Sequence, residues 1–265
     1  MELAGKTVLL TGATGGLGQA IARAVADRGA ALVLSSRKQE ELERLATSLA
    51  GDGHRTIPAD LAVEGDAERV CSEAGAVDVL IANAGLSAGG RLDRVAEQEL
   101  IDAVRVNLEA PMRMARALLP GQLERGRGHL VFVSSLQGKI AFARSTIYTA
   151  TKFGLRGFAL SLRDDLHGTP VSASLVSPGF IRDAGMFAAS GQPAPAGLGT
   201  SSPQEVAAAV VGAIEHDRAE VDAAPLRTSA AAAVGMRTPR VTSLLTRTAS
   251  AKVTDQVIAA REAKR

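Results

Sequence analysis

The chain of 265 residues has one cysteine, one tyrosine and no tryptophan. A single cysteine, Cys71, excludes an internal disulfide framework and any multi-cysteine metal site. Val63, Ala67, Val70, Cys71 and Ala74 share a helical face, so the thiol reads as buried and inert. The four histidines, His54, His129, His167 and His216, are scattered without ligand spacing and are assigned no chemistry; no metal is expected. Aromatics make up 3% of the chain, too few for a base-stacking surface, and nothing resembles a sequence-reading nucleic-acid motif, so no nucleic-acid partner is expected. No run reaches transmembrane length. Met1-Glu2-Leu3-Ala4-Gly5 leads directly into the first strand with no basic and then apolar leader, and a cytoplasmic protein is expected.

What is present carries more information. The lone tyrosine, Tyr148, is followed four residues later by Lys152 and preceded thirteen residues earlier by Ser135. If Tyr148 opens a helix, Lys152 lies one turn on along the same face, and its ammonium would favour the ionised phenol. Such a pair can move a proton.

The N-terminal segment supplies a second feature. Lys6–Leu10 is a short apolar run that ends in Thr11-Gly12-Ala13-Thr14-Gly15-Gly16-Leu17-Gly18, after which Leu17, Ala20, Ile21, Ala24 and Val25 form one apolar helical stripe. The glycines therefore make a strand-to-helix turn. Such a turn lets backbone approach a pyrophosphate and aims helix N-terminal N–H groups at it. A plain tight turn is the alternative for a glycine-rich segment alone, and the flanking strand and helix argue for nucleotide binding.

The remaining chain alternates short apolar runs with amphipathic stripes. Strands are expected at Lys6–Leu10, Ala31–Ser35, Arg55–Pro58, Val77–Ala82, His129–Ser134, Val171–Val176 and Glu220–Ala223. Helical stripes include Leu42, Leu45, Ala46, Leu49 and Val206, Ala209, Val210, Ala213, Ile214; Ser202-Pro203-Gln204-Glu205 starts the second with a capping box. This alternation predicts an α/β fold, a Rossmann-type doubly wound parallel β-sheet flanked by helices on both faces. One domain is expected over residues 1–225, followed by a basic extension over 226–265.

The ordered motifs resemble those of the classical short-chain dehydrogenase/reductase family. They are the Thr-Gly-x-x-x-Gly-x-Gly of positions 11 to 18, Asn83-Ala84-Gly85, Asn107, Ser135, Tyr148-x-x-x-Lys152 and Pro178-Gly179, and the likeness runs from about Leu3 to Val221. The resemblance implies hydride transfer between a nicotinamide cofactor and a carbonyl or secondary alcohol. Negative charge then builds on the substrate oxygen, which calls for a proton donor and a hydrogen-bond donor. Tyr148 would give the proton, Ser135 would hold the oxygen, Lys152 would assist Tyr148 and reach the ribose, and Asn107 would hold a water joining Lys152 to solvent. Cofactor contacts would come from Gly12, Thr14, Gly16, Leu17, Gly18, Asp60, Leu61, Asn83, Ala84, Gly85, Pro178, Gly179 and Ile181.

Cofactor choice turns on the end of the second strand. Val33-Leu34-Ser35-Ser36-Arg37-Lys38 has no acid at the turn, where a carboxylate would repel a 2′-phosphate, so Ser36 and Arg37 point to NADP(H) over NAD(H). Arg37 as a solvated charge is the alternative, and Gly15 stands where many NADP(H)-binding relatives have a basic residue. Asp183 occupies the position where many relatives carry a threonine that contacts the nicotinamide amide.

Ala184–Ser202, rich in Gly, Ala, Pro and Ser, matches the family's substrate loop, with Met186 and Phe187 either contacting ligand or seating the loop. Leu86, Leu136, Gln137, Phe142 and Phe180 join them as pocket candidates, which lean apolar and suggest a lipophilic small-molecule carbonyl or alcohol. Residues 226–265 hold eight Lys or Arg against Asp255 and Glu262. Thr238-Pro239 is expected to start a helix there with Val241, Leu244 and Leu245 on one face and Val253 and Val257 forming a second stripe. That tail is expected to pack on its own domain or a second subunit, and a homodimer or homotetramer is expected. The alternative to an enzyme is a catalytically silent NADP(H)-binding regulator or scaffold of the same fold.

Overall fold

The computed structural model describes residues 1–184, 199–238, 240, 251, 254 and 255. Seven parallel strands form one sheet in the order β3-β2-β1-β4-β5-β6-β7. They are β1 (Thr7–Thr11), β2 (Ala31–Ser36), β3 (Arg55–Pro58), β4 (Val79–Ala82), β5 (Gly128–Val133), β6 (Val171–Pro178) and β7 (Glu220–Ala223). All seven expected strands are present, with ends differing by at most two residues. The principal helices are α1 (Gly16–Ala26), α2 (Gln39–Ser48), α3 (Asp66–Ala74), α4 (Glu97–Val104), α5 (Ala110–Glu124), α6 (Thr146–Asp165), α7 (Pro203–Glu215) and α8 (Leu226–Arg237).

Strand periodicity divides the core into two layers. Within β1, Val8 and Leu10 face one layer and Leu9 the other, and all three are 0% exposed. Val8 and Leu10 pack with Ile21 and Val25 of α1, Leu42 of α2 and Val206 and Val210 of α7. Leu9 packs with Val70 and Cys71 of α3, Met114 of α5 and Leu155 of α6. Both faces are covered, which is why these parallel strands read as continuous apolar runs rather than alternating ones. Cys71 is buried, and burial pushes its thiol up to about 12, as an inert structural cysteine requires.

The direction of strand order reverses beside β1: one half of the sheet grows outward through β2 and β3, the other through β4 to β7. At such a switch point the loops leaving neighbouring strands diverge and open a crevice at the carboxyl edge. α7 begins with the expected capping box, Ser202 Oγ accepting from Glu205 N at 3.1 Å and Ser202 N donating to the Glu205 carboxylate at 2.6 Å. Thr238 caps the end of α8, its backbone N–H and its hydroxyl both donating to Val234 O, and Arg240 just beyond it is again helical, while Pro239 of the expected helix start lies outside the described residues. The stripes Val241, Leu244, Leu245 and Val253, Val257 lie outside the described residues.

Candidate active site

The crevice between β1 and β4 is built on backbone that side chains could not occupy. Gly12 has φ +65°, and a Cβ there would lie 2.8 Å from Ala84 Cα. A Cβ on Gly18 would lie 2.1 Å from Gly12 O, so the turn can fold back onto α1 only with glycine. Thr11 and Asn83 stitch the two strand ends together. Thr11 Oγ1 accepts from Asn83 N and Ala84 N, both at 3.1 Å, while Asn83 Nδ2 donates to Thr11 O at 3.0 Å. Thr14 Oγ1 donates to Ser36 Oγ at 3.0 Å, tying the glycine turn to the end of β2. No side chain caps the N-terminus of α1, so its first-turn N–H groups face the crevice without an internal anion.

Ser135 follows β5, and Tyr148 sits in the first turn of α6 with Lys152 one turn on. Ser135 and Tyr148 share a hydrogen bond. Tyr148 keeps part of its surface open to the crevice but lies deep in the fold, and that depth pushes its phenol up to about 12, against the lowering effect of the Ser135 bond. Lys152 is 3% exposed, donates from Nζ to Val133 O at 3.0 Å, and holds Nζ 5.6 Å from the centre of the Tyr148 ring. Burial brings its ammonium down to about 8. In place of the expected ammonium effect favouring the ionised phenol, the desolvation of both groups is the larger effect, and it keeps the phenol protonated.

Asn107 lies in a π-helical turn, Arg105–Glu109, between α4 and α5. It is fully buried, with Oδ1 accepting from Leu86 N at 2.7 Å and Nδ2 donating to Leu86 O at 2.9 Å and Thr151 Oγ1 at 3.2 Å. A Cβ on Gly85 would come within 3.4 Å of Asn107 Oδ1 and 3.9 Å of Lys152 Nζ, so both groups crowd the space that glycine leaves empty at this position. Single-turn π insertions of this kind are frequent at functional sites.

One cavity of about 620 Å³ gathers nearly every residue singled out from sequence. It is lined by Gly12, Thr14, Gly16, Leu17 and Gly18, by Ser36 and Arg37, by Asp60 and Leu61, by Asn83, Ala84 and Gly85, and by Ser135, Tyr148, Lys152, Pro178, Gly179 and Ile181. Asn107 is the exception, fully buried and not on the cavity wall. The profile of the family described as short chain dehydrogenase matches residues 6–194. The chain belongs to that family.

Relatives of this short-chain dehydrogenase include ketoacyl reductase HetN of a Nostoc strain, 39% identical over 83% of this chain and 78% of that protein. NADP-dependent 3-hydroxy acid dehydrogenase YdfG of Salmonella typhi is 35% identical over 66% of this chain and 72% of that protein. Among solved structures, a short-chain dehydrogenase from Streptomyces avermitilis is 26% identical, with a TM-score of 0.77 over 92% of this chain and 96% of that one. The closed form of a serine dehydrogenase complexed with NADP+ is 28% identical, with a TM-score of 0.73 over 83% of this chain and 95% of that one. Family membership makes the chain an oxidoreductase of the C=O/CH–OH type with a nicotinamide cofactor.

Two expectations at the substrate end fare differently. Asp183 turns outward, its side chain 74% exposed and 3.6 Å from Arg182 Nε, and it is absent from the cavity wall. Leu86, Leu136, Gln137, Phe142 and Phe180 do line the cavity, and the Phe142 and Phe180 rings stack with centres 6.4 Å apart. Met186 and Phe187 lie outside the described residues. Sequence reasoning missed Thr228 and Ala231 of α8, which also reach the cavity. Their spacing of three along a helix was the available signal, hidden in a run of alanines.

No helix among the described residues is long and apolar enough to cross a membrane.

Proposed function

We propose that this short-chain dehydrogenase uses NADP(H) to interconvert the carbonyl and secondary-alcohol forms of a largely apolar small molecule. The observation that carries the reading is the Tyr148 phenol, hydrogen-bonded to Ser135 and followed one helical turn later by the buried Lys152, in the same cavity as the glycine turn. The turn itself fits a dinucleotide: its uncapped helix start offers N–H donors, and the absence of Cβ atoms at Gly12 and Gly18 allows backbone to approach a pyrophosphate. When bound, the nicotinamide supplies or accepts the hydride.

The residues of the chain handle the rest. Gly12, Thr14, Gly16, Leu17 and Gly18 would hold the pyrophosphate, Asp60 and Leu61 the adenine, Asn83, Ala84 and Gly85 the adjoining ribose, and Pro178, Gly179 and Ile181 the nicotinamide end. Ser135 would donate to the substrate oxygen, and Tyr148 would pass its Oη proton to that oxygen on reduction. A phenol pushed up to about 12 holds its proton at neutral pH, the state that reduction needs. Lys152 would keep the phenol oriented and reach the ribose, with Asn107 holding the water behind it.

Support for the phosphorylated cofactor comes from Arg37, exposed at the cavity rim with no ion-pair partner among the described residues. The nearby Glu41 carboxylate is paired with Lys38 at 2.7 Å, which leaves Arg37 free to meet a 2′-phosphate. A relative named NADP-dependent and a neighbour complexed with NADP+ agree with this choice. Residues 226–265 are read as an extension packed on the 1–225 domain, supported by Thr254 at the cavity wall and Arg144 Nε 3.4 Å from Asp255 Oδ2. The test is NADPH consumption across a carbonyl panel with NADH in parallel. Absence of turnover with every carbonyl and both cofactors would overturn the reading.

A further inference from the structure

Gln137 stands two residues beyond Ser135, and its amide is held at both ends of the reacting group's neighbourhood. Its backbone N–H donates to Ser135 Oγ at 3.1 Å. Its side-chain Oε1 accepts from Ser145 Oγ at 2.8 Å and from Thr149 Oγ1 at 3.2 Å, hydroxyls that flank Tyr148 on the opening turn of α6. With Oε1 turned to these two hydroxyls, the other end of the amide looks inward. The Nε2 group is left at the opposite end, with no protein partner among the described residues, on a side chain that lines the cavity and is only half buried. A donor fixed in this way beside the proton-transfer pair asks for an acceptor on the ligand, because an amide N–H left dry and unpaired on complex formation is costly.

The surroundings decide what kind of acceptor. Leu86, Ala88, Leu136, Ile140, Phe142 and Phe180 form the adjoining wall. Among the described residues lining the cavity the basic side chains are Lys152, Arg37 and Lys38, and Lys139, two residues from Gln137, is already engaged by Asp222 Oδ1 at 2.6 Å and Glu220 Oε1 at 3.1 Å. A free carboxylate would lose its hydration here with no unpaired cation in this wall among the described residues to meet it, whereas an uncharged carbonyl oxygen needs one hydrogen bond. We propose that Gln137 is a specificity-determining residue whose Nε2 donates to a second, uncharged carbonyl oxygen close to the reacting one, so that the preferred substrates are 3-oxo esters, thioesters or amides rather than simple ketones or free oxo acids. This rests on the oxidoreductase reading above and deepens it.

Gln137→Glu is the sharpest perturbation, because the carboxylate still accepts from Ser145 and Thr149 and only the donor facing the cavity is replaced by an acceptor. The measurement is kcat/KM with NADPH for a 3-oxo ester and for a ketone of equal chain length, in wild type, Gln137→Glu and Gln137→Leu, after thermal melts establish that each variant is folded. The expected result is a wild-type preference for the ester, with the ester-to-ketone ratio falling by roughly 10- to 100-fold in both variants, the range of one lost hydrogen bond to a buried group. A wild-type ratio near one, or a ratio unchanged by both substitutions, overturns the proposal for Gln137 and leaves the enzyme reading standing. If wild type reduces neither compound, nor any of the panel, the enzyme reading fails instead. Calorimetric binding of the 3-oxo ester to the NADP+-saturated protein then judges Gln137 separately, since equal affinity in wild type and Gln137→Glu removes it.

Discussion

Lys152 is a cation kept under the cleft at a cost that titration can expose. Burial lowers its pKa from 10.5 to about 8, and no carboxylate offsets that effect. At 1.36 kcal/mol per tenfold change, the shift corresponds to about 3 kcal/mol of preference for the neutral amine in the folded chain. The folded value lies below the unfolded one, so between about pH 8 and 10.5 the unfolded chain binds more protons and stability rises with pH. Below pH 8 both forms carry the charge, and the contribution is flat at its least favourable value. Lys152→Met keeps the aliphatic stem and removes the titration. Urea unfolding of the cofactor-free proteins at pH 7, 8, 9 and 10 therefore has a definite expected pattern. The variant is the more stable at pH 7, and its advantage shrinks by up to about 3 kcal/mol as the pH approaches 10.5. Tyr148 titrates in the opposite sense above pH 10, its folded value lying near 12, but it is present in both chains and cancels in the difference. A difference in stability that is independent of pH would show that Lys152 does not titrate as a desolvated amine, and the reasoning would fail.

Tyr148→Phe removes the proposed proton donor while keeping its ring, so steady-state turnover is expected to fall by on the order of 10²-fold or more with NADPH affinity by fluorescence titration near the wild-type value. Arg37→Asp replaces attraction by repulsion at the cavity rim and is expected to shift the ratio of NADPH to NADH affinities toward NADH; an unchanged ratio would place recognition of the phosphate elsewhere. Gly18→Ala forces a Cβ against Gly12 O and Ala13 Cα, backbone that cannot swing away, and is expected to cost roughly 3 kcal/mol along with nucleotide affinity. Gly212→Ala, in α7 with nothing within 4 Å of the added carbon, is expected instead to raise stability by roughly 0.5–1 kcal/mol in the same melts. Truncation after Pro225 removes the buried Thr228 and Ala232, and is expected to lower Tm and substrate affinity while leaving the cofactor preference ratio unchanged.

The strands were legible because their burial is two-sided. Val8, Leu9 and Leu10 diverge onto separate layers, yet all three are apolar, and the same holds for Val79, Leu80 and Ile81 of β4. The glycine turn was legible because steric necessity leaves a residue-level mark. The direction of Asp183 was not legible, because a backbone at φ +65° carries its side chain outward to Arg182, which spacing alone does not encode. α8 escaped the sequence reading because it is alanine-rich and begins after Pro225 without a side-chain cap, so neither an apolar stripe nor a start signal marks it. The clamp on Gln137 escaped notice because its polar partners lie on two segments, Ser135 after β5 and Ser145 and Thr149 at the start of α6, that meet only when the first folds against the second.

That meeting depends on a residue with no proposed chemistry. The strand pleat sends Ser134 and Ser135 in opposite directions: Ser134 Oγ donates to Lys152 O at 3.3 Å, while Ser135 turns to Tyr148. The short helical turn Leu136–Gly138 then lies on α6 so closely that a Cβ on Gly138 would sit 2.8 Å from Lys152 O and 3.0 Å from Ser134 Oγ. Gly138 thus sets the approach of the serine-bearing segment to the helix that carries Tyr148 and Lys152. Any side chain at this position must push that segment away, lengthening the Ser135–Tyr148 bond and carrying Gln137 off its two hydroxyls. Spacing in the sequence fixes which groups are present, but the separation between them is held by the one position in the segment that can have no side chain.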